Sequence, residues 1–153
     1  MEKSYIYLLL ATVSAVAFVV IVPKGLFKRN LLYGLVFGGL GDAALATVLT
    51  LVGLIKYRAL EPFDILGIFS LWTPITWSYA FGVFFYLMPV RRLFVLPYLA
   101  GFAGLSYGVG LMLQSYGLLE SIGVHRYLAP VIFFAWYAVS AWAYYRLEKV
   151  ELR

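Results

Sequence analysis

Long apolar runs broken by short polar clusters dominate the chain. Five runs stand out, at 5–22, 31–55, 65–88, 93–116 and 127–145. An α-helix rises 1.5 Å per residue, so crossing a hydrocarbon core of about 30 Å takes roughly 20 residues. Each run is long enough, and each is read as a transmembrane helix. The segments of a strand barrel would be about 10 residues long with alternating polarity, which this chain does not show. Pro23, Lys24 and Gly25 end the first run, and Lys28, Arg29 and Asn30 complete a polar hairpin. Glu61, Pro62 and Asp64 part the second and third runs. Pro89, Arg91 and Arg92 make the tightest turn, and Glu120, Gly123, His125 and Arg126 part the last two. Each cluster puts charge where a helix must leave lipid. The expected fold is all-α: a single polytopic transmembrane bundle of five spans.

Composition supports the bilayer and excludes much else. Hydrophobic residues make up 64% of the chain and charged ones 12%, against about 45–50% and 25% in soluble domains. With no cysteine, disulfides, thiolate zinc sites and iron–sulfur clusters are excluded, and no cofactor is expected. The Ala15, Val16, Ala17 triplet resembles a signal-peptide cleavage site, but the apolar run continues to Val22 and is read as a span.

Charge orients the bundle. Lys3, Lys56, Arg58 and Arg126 fall on one side, offset by Glu2, Glu61, Asp64 and Glu120. Lys24, Lys28, Arg29, Arg91, Arg92, Arg146, Lys149 and Arg153 fall on the other, against Glu148 and Glu151 alone. The positive-inside rule places the second group in the cytoplasm, with the N-terminus outside and the C-terminus inside. The expected location is the cell membrane. The basic face anchors topology and is suited to anionic lipid. No basic block interleaved with aromatics points to nucleic acid.

One charge departs from this sorting. Asp42 lies about 17 Å along the helix from Leu31, at the centre of the second span. No span carries a basic residue in its interior to pair with it. A central Asp costs about 2.5–3.5 kcal/mol on insertion scales, so it must face other helices or a cavity. Desolvation is expected to keep it protonated until a cation or water reaches it. A proton or cation site is one reading. A neutral carboxyl that hydrogen-bonds across the bundle and fixes register is the other.

Gly34 and Gly38 form a line that Asp42 continues, and Ala100, Gly104 and Gly108 form a similar line in the fourth span. Small residues at that spacing let backbones approach, so the second and fourth spans are expected to pack together. Pro74, in the polar-aromatic stretch from Trp72 to Tyr79, is expected to kink the third span, with Thr and Ser hydroxyls covering the freed carbonyls. Stacking the spans by depth gives a midplane layer of Ser14, Asp42, Thr76, Trp77, Ser106, Tyr107 and Trp136. From it Asp42, Thr76, Trp77, Tyr107 and Trp136 are the expected binding residues: an acid supplies charge, and aromatic faces attract cations. An echo at an offset of 65 residues aligns Asp42 with Tyr107, as if spans two–three and four–five were parallel hairpin repeats.

Other chemistry is missing. His125, the single histidine, is read as a solvated loop residue. It cannot supply bis-His haem ligation or a zinc triad. No phosphate loop appears, no lysine inside a span could form a Schiff base, and no nucleophile–histidine–acid set lies at membrane depth. Three function classes remain. The first is a protein that binds, or transports, a proton, cation or small solute, with a homodimer expected. The second is an accessory subunit of a larger membrane complex, and the third is a lipid-modifying enzyme using Glu61 and Asp64 or Asp42. The five short spans, the Asp-bearing second span and the Trp72-x-Pro74 stretch resemble an uncharacterised family of small multi-pass membrane proteins of spore-forming Gram-positive bacteria. That resemblance implies the layout and carries no activity or site with it.

Overall fold

The computed structural model describes residues 3–153, and it is mostly helical. Helix α1 spans Tyr5–Ile21. A second, long helix runs from Lys24 to Leu51. It opens with a 3₁₀ turn at Lys24–Leu26, continues as α2 (Phe27–Tyr33), widens into a π segment at Gly34–Leu40 and ends as α3 (Gly41–Leu51). Helix α4 is Trp72–Tyr86, α5 is Arg92–Ser115 and α6 is His125–Leu147. Three helices are long and apolar enough to cross a membrane: Lys24–Leu51, Arg92–Ser115 and His125–Leu147.

Three boundaries differ from the sequence reading. The second helix begins at Lys24, because Lys28, Arg29 and Asn30 are helical. The Asn30 amide donates to the Leu26 carbonyl at 3.0 Å, and Arg29 donates to the Tyr144 hydroxyl at 3.0 Å. The same helix stops at Leu51, because Gly53 adopts a φ of 74° and the Leu54 amide turns back to the Leu49 carbonyl at 2.9 Å. An identical stop closes α5, where Gly117 has a φ of 71° and the Leu118 amide bonds the Leu113 carbonyl at 2.8 Å. The third run supplies a helix of only 15 residues.

The chain between those stops is not helical, so the fold is a helix bundle carrying two small antiparallel pairs. Strand β1 (Ile55–Tyr57) pairs with β4 (Leu119–Ser121), with Lys56 opposite Glu120. Strand β2 (Asp64–Ile65) pairs with β3 (Phe69–Ser70). Both lie at one end of the bundle, here called the strand end.

Helix α4 is the central post. Thr73, Thr76, Ser78, Phe81, Gly82, Val83, Phe84 and Phe85 are all buried on it. A helix wrapped by protein can be short, since its ends need not reach the faces of a bilayer. Phe81 stacks on Tyr137 of α6 at 4.6 Å with the rings 5° apart, and Phe85 stacks on Tyr144 at 5.1 Å. On the other flank Phe18 of α1 fills the place of the missing Gly82 side chain: a Cβ there would meet its ring at 2.6 Å. Pro74 produces no kink, because it falls in the first turn of α4, where a helix has no use for its amide. The carbonyl it leaves without a donor, on Ser70, accepts the Thr73 hydroxyl at 3.0 Å.

The glycine line of the long helix packs on α4 and not on α5. A Cβ at Gly34 would overlap the Ser78 carbonyl, one at Gly38 the Trp77 carbonyl and one at Gly39 the Ser78 hydroxyl. Gly101, Gly104 and Gly108 of α5 face open space. The backbone contact expected between the second and fourth runs is therefore made by the second and third.

The opposite end gathers the basic groups. Arg29 faces Glu148 at 3.5 Å, and Tyr33 donates to the Glu148 carboxylate at 2.6 Å. The C-terminal tail folds back on the α4–α5 turn through Arg92 N to Arg153 O at 2.8 Å and Arg153 N to Val90 O at 3.0 Å. Glu2, counted among the acids of the strand end, lies outside the described residues.

Two glycines separate close packing from composition. Gly38→Ala is expected to lower unfolding stability in detergent by about 1–3 kcal/mol, the usual cost of overpacking against an interior that cannot yield. Gly104→Ala, in open space on a helix of the single chain, is expected to leave the stability of the monomer unchanged or raise it by up to about 1 kcal/mol. Thermal unfolding of the two variants side by side checks the contrast.

Candidate functional site

The π segment widens the long helix just before Asp42. A wide turn disturbs the regular carbonyl-to-amide pairing and occurs often at functional sites. Here the Phe37 carbonyl accepts the Trp136 indole N–H at 2.9 Å. Gly41 makes room for that indole, since a Cβ on it would sit 2.9 Å from the Trp136 Nε1. The bond ties α6 to the long helix one turn below Asp42.

Asp42 follows with 5% of its surface exposed. Thr73 of α4 lies beside its carboxyl, yet Oδ2 has no hydrogen-bond partner among the described residues. A buried polar atom left unpaired typically costs about 1–3 kcal/mol, so it marks a place that wants a partner. Asp42 lines a cavity of about 70 Å³ between the long helix, α4, α5 and α6.

Four of the five residues expected from sequence line that one cavity: Asp42, Trp77, Tyr107 and Trp136. The two indoles meet at 5.5 Å with their planes 58° apart, and Phe133 lies 5.9 Å from Trp77. Thr76 is set apart. Its hydroxyl donates to the Trp72 carbonyl at 2.8 Å, and it lines a neighbouring cavity of about 40 Å³ that shares Tyr57, Trp77 and Phe133 with the first. The rest of the expected layer meets elsewhere. Ser14, Thr76, Trp77 and Ser106 border one apolar groove of about 400 Å³ between α1, α4 and α5, where Ser106 is hydrogen-bonded to the Tyr137 hydroxyl at 2.8 Å.

Depth also differs from expectation. With the helix ending at Leu51, Asp42 lies about 13 Å from that end and about 27 Å from Lys24 along the axis. The cavity therefore sits toward the strand end, not at the centre of its helix.

Three further polar residues line it: Tyr57 of β1, Gln114 of α5 and His125 of α6. His125 is not a solvated loop residue. It is 7% exposed, and its Nδ1 is 3.1 Å from the Ser121 hydroxyl. A signal for Gln114 was present, because it is the single glutamine and falls inside an apolar run. Tyr57 and His125 lie outside the runs, and only strand pairing brings them in.

Strands β1 and β4 close the strand-end side of the cavity, contributing Ile55, Tyr57 and Leu119. The Tyr7 hydroxyl holds them from α1, lying 2.8 Å from the Leu118 carbonyl and 3.0 Å from the Arg58 carbonyl. On the outer surface the Arg58 Nε donates to Glu120 at 3.1 Å. That hydrogen bond holds the exposed Glu120 carboxyl below the ordinary glutamate range. No group of three or more metal-ligating side chains occurs among the described residues.

Comparison with protein-family models, curated proteins and solved structures returns no significant match for this chain.

Tyr7→Phe isolates the clamp on the strands. Leu118 O also accepts the Arg58 amide, so the variant is expected to cost only about 1 kcal/mol of global stability. Hydrogen exchange at the β1 and β4 amides is expected to speed several-fold while that of α4 stays unchanged. Equal protection in variant and parent would assign the hydroxyl no part in holding the strands.

Proposed function

We propose that the chain is a five-span protein of the cell membrane, N-terminus outside and C-terminus in the cytoplasm, that binds a proton or a small cation at Asp42. The exposed apolar side chains of α1, α5 and α6, such as Val13, Val20, Leu93, Leu105, Val131 and Val139, suit contact with lipid. The basic end suits the cytoplasmic face and its anionic headgroups. Helices α1 and α4 are short for spans, and the non-helical segments at the strand end make up the distance while buried in protein. In this reading a second copy, or a larger membrane complex, packs on the open glycine face of α5.

The observation that carries the binding role is the unpartnered Oδ2 of a buried acid on a cavity wall. An ionised carboxylate withdrawn from water is costly unless paired. Asp42 therefore holds a proton or a cation, and exchanging one for the other keeps the cavity neutral. The exchange releases the carboxyl proton to solvent as the cation enters. The shortest way to water runs toward the strand end, past the cover of β1 and β4, and transport requires in addition a path toward the basic end.

Proton release tests the exchange directly. The detergent-purified protein in weakly buffered solution near neutral pH is titrated with chlorides of small monovalent cations at constant ionic strength. The parent is expected to release up to one proton per chain on binding, and Asp42→Asn, nearly isosteric, none. Equal release from the variant, or none from the parent with any cation, would overturn the role of Asp42.

A further inference from the structure

We infer that the Asp42 cavity selects a small primary ammonium cation, the size of ammonium or methylammonium, over a bare metal ion. The inference rests on the exchange reading above and names its ligand class.

Size gives the first limit. An engineered apolar cavity of about 150 Å³ takes benzene, with its six heavy atoms. A volume of about 70 Å³ therefore holds roughly three heavy atoms by the same measure. Ammonium and methylammonium fit within that limit, and tetramethylammonium exceeds it.

Wall chemistry gives the second. A hard cation asks for about six oxygen ligands in a tight shell. The side-chain oxygens here come from Asp42, Tyr57, Tyr107 and Gln114, and most of the remaining wall is aliphatic or aromatic. An ammonium group asks for less: one charge partner and a few acceptors for its N–H donors. Asp42 supplies the charge and an oxygen without a partner.

The aromatic corner gives the third. Trp77 and Trp136 meet at 58°, and Phe133 lies next to both. The Trp136 indole N–H is already committed to the Phe37 carbonyl. What that side chain offers the cavity is therefore its ring, whose face attracts a cation. Aromatic faces attract ammonium cations in general and quaternary ones most familiarly, and the volume here restricts the guest to the smallest of them. A methyl group on the nitrogen packs against the apolar wall, while the N–H donors turn to the acid.

The test uses the full-length protein in detergent or nanodiscs. Thermal unfolding and calorimetry are run with methylammonium, ammonium, sodium, potassium and tetramethylammonium chlorides at matched ionic strength. Methylammonium and ammonium are expected to raise the unfolding midpoint and to bind at least tenfold tighter than sodium or potassium, with tetramethylammonium excluded. Asp42→Asn is expected to abolish the effect, and Trp77→Leu to weaken it roughly tenfold. The selectivity series on the parent stands even where a variant fails to fold. Asp42-dependent proton release with sodium or potassium, at no preference for methylammonium, would overturn the ammonium inference and leave the exchange reading in place. Absence of binding and of proton release with every cation would overturn both. Tight binding of tetramethylammonium would contradict the size argument and place the cation elsewhere.

Discussion

Backbone-to-backbone contact between the long helix and α4 is the constraint on which the rest depends. Gly34, Gly38 and Gly39 leave no room for a side chain against Trp77 and Ser78. The two helices are locked in depth and rotation as a result. Rotation then aims Asp42, one turn beyond Gly38, at the junction of α4, α5 and α6. The same closeness brings Trp136 within reach of the Phe37 carbonyl, where the π segment offers it as an acceptor.

Around that contact nearly every buried polar group finds a partner. Thr73, Thr76 and Ser78 return their hydroxyls to backbone carbonyls of α4 and the turn before it. Tyr98 donates to Phe84 O at 2.6 Å and Tyr145 to Pro89 O at 2.6 Å. Among the described residues three other buried polar atoms also lack a partner, on Asn30, Thr50 and Trp72, but the free Oδ2 of Asp42 is the one that belongs to an acid. The strands add a cover of backbone. They bring a phenol and an imidazole to the cavity from chain segments that no helical periodicity could place there.

Much of this was legible in the sequence, and the gaps have physical causes. The apolar runs located every helix, and the charges marked the bundle's ends. Run lengths overstated the third helix, since hydropathy does not distinguish a helical apolar residue from one in a strand such as Phe69. Gly53 falls inside the second apolar run and Gly117 just after the fourth. Their positive φ values, which stop two helices at the same end, are tertiary facts. The spacing of Gly34 and Gly38 announced a close approach but not its partner, so α4 displaced α5 as the neighbour. Asp42, Trp77, Tyr107 and Trp136 converged as expected because each is polar or aromatic at matched depth. Thr76 did not, because its hydroxyl is satisfied within its own helix.

The central claim is that Asp42, with an unpaired carboxyl oxygen, lines a partly polar cavity. The most direct measurement is an experimental density map of the protein in a lipid nanodisc, at a resolution that shows ordered water. The account predicts a bound water or cation within about 2.7–3.2 Å of the Asp42 carboxyl, inside walls formed by Trp77, Tyr107 and Trp136. An Asp42 side chain turned toward lipid, or a collapsed cavity with both carboxyl oxygens bonded to protein, would contradict it.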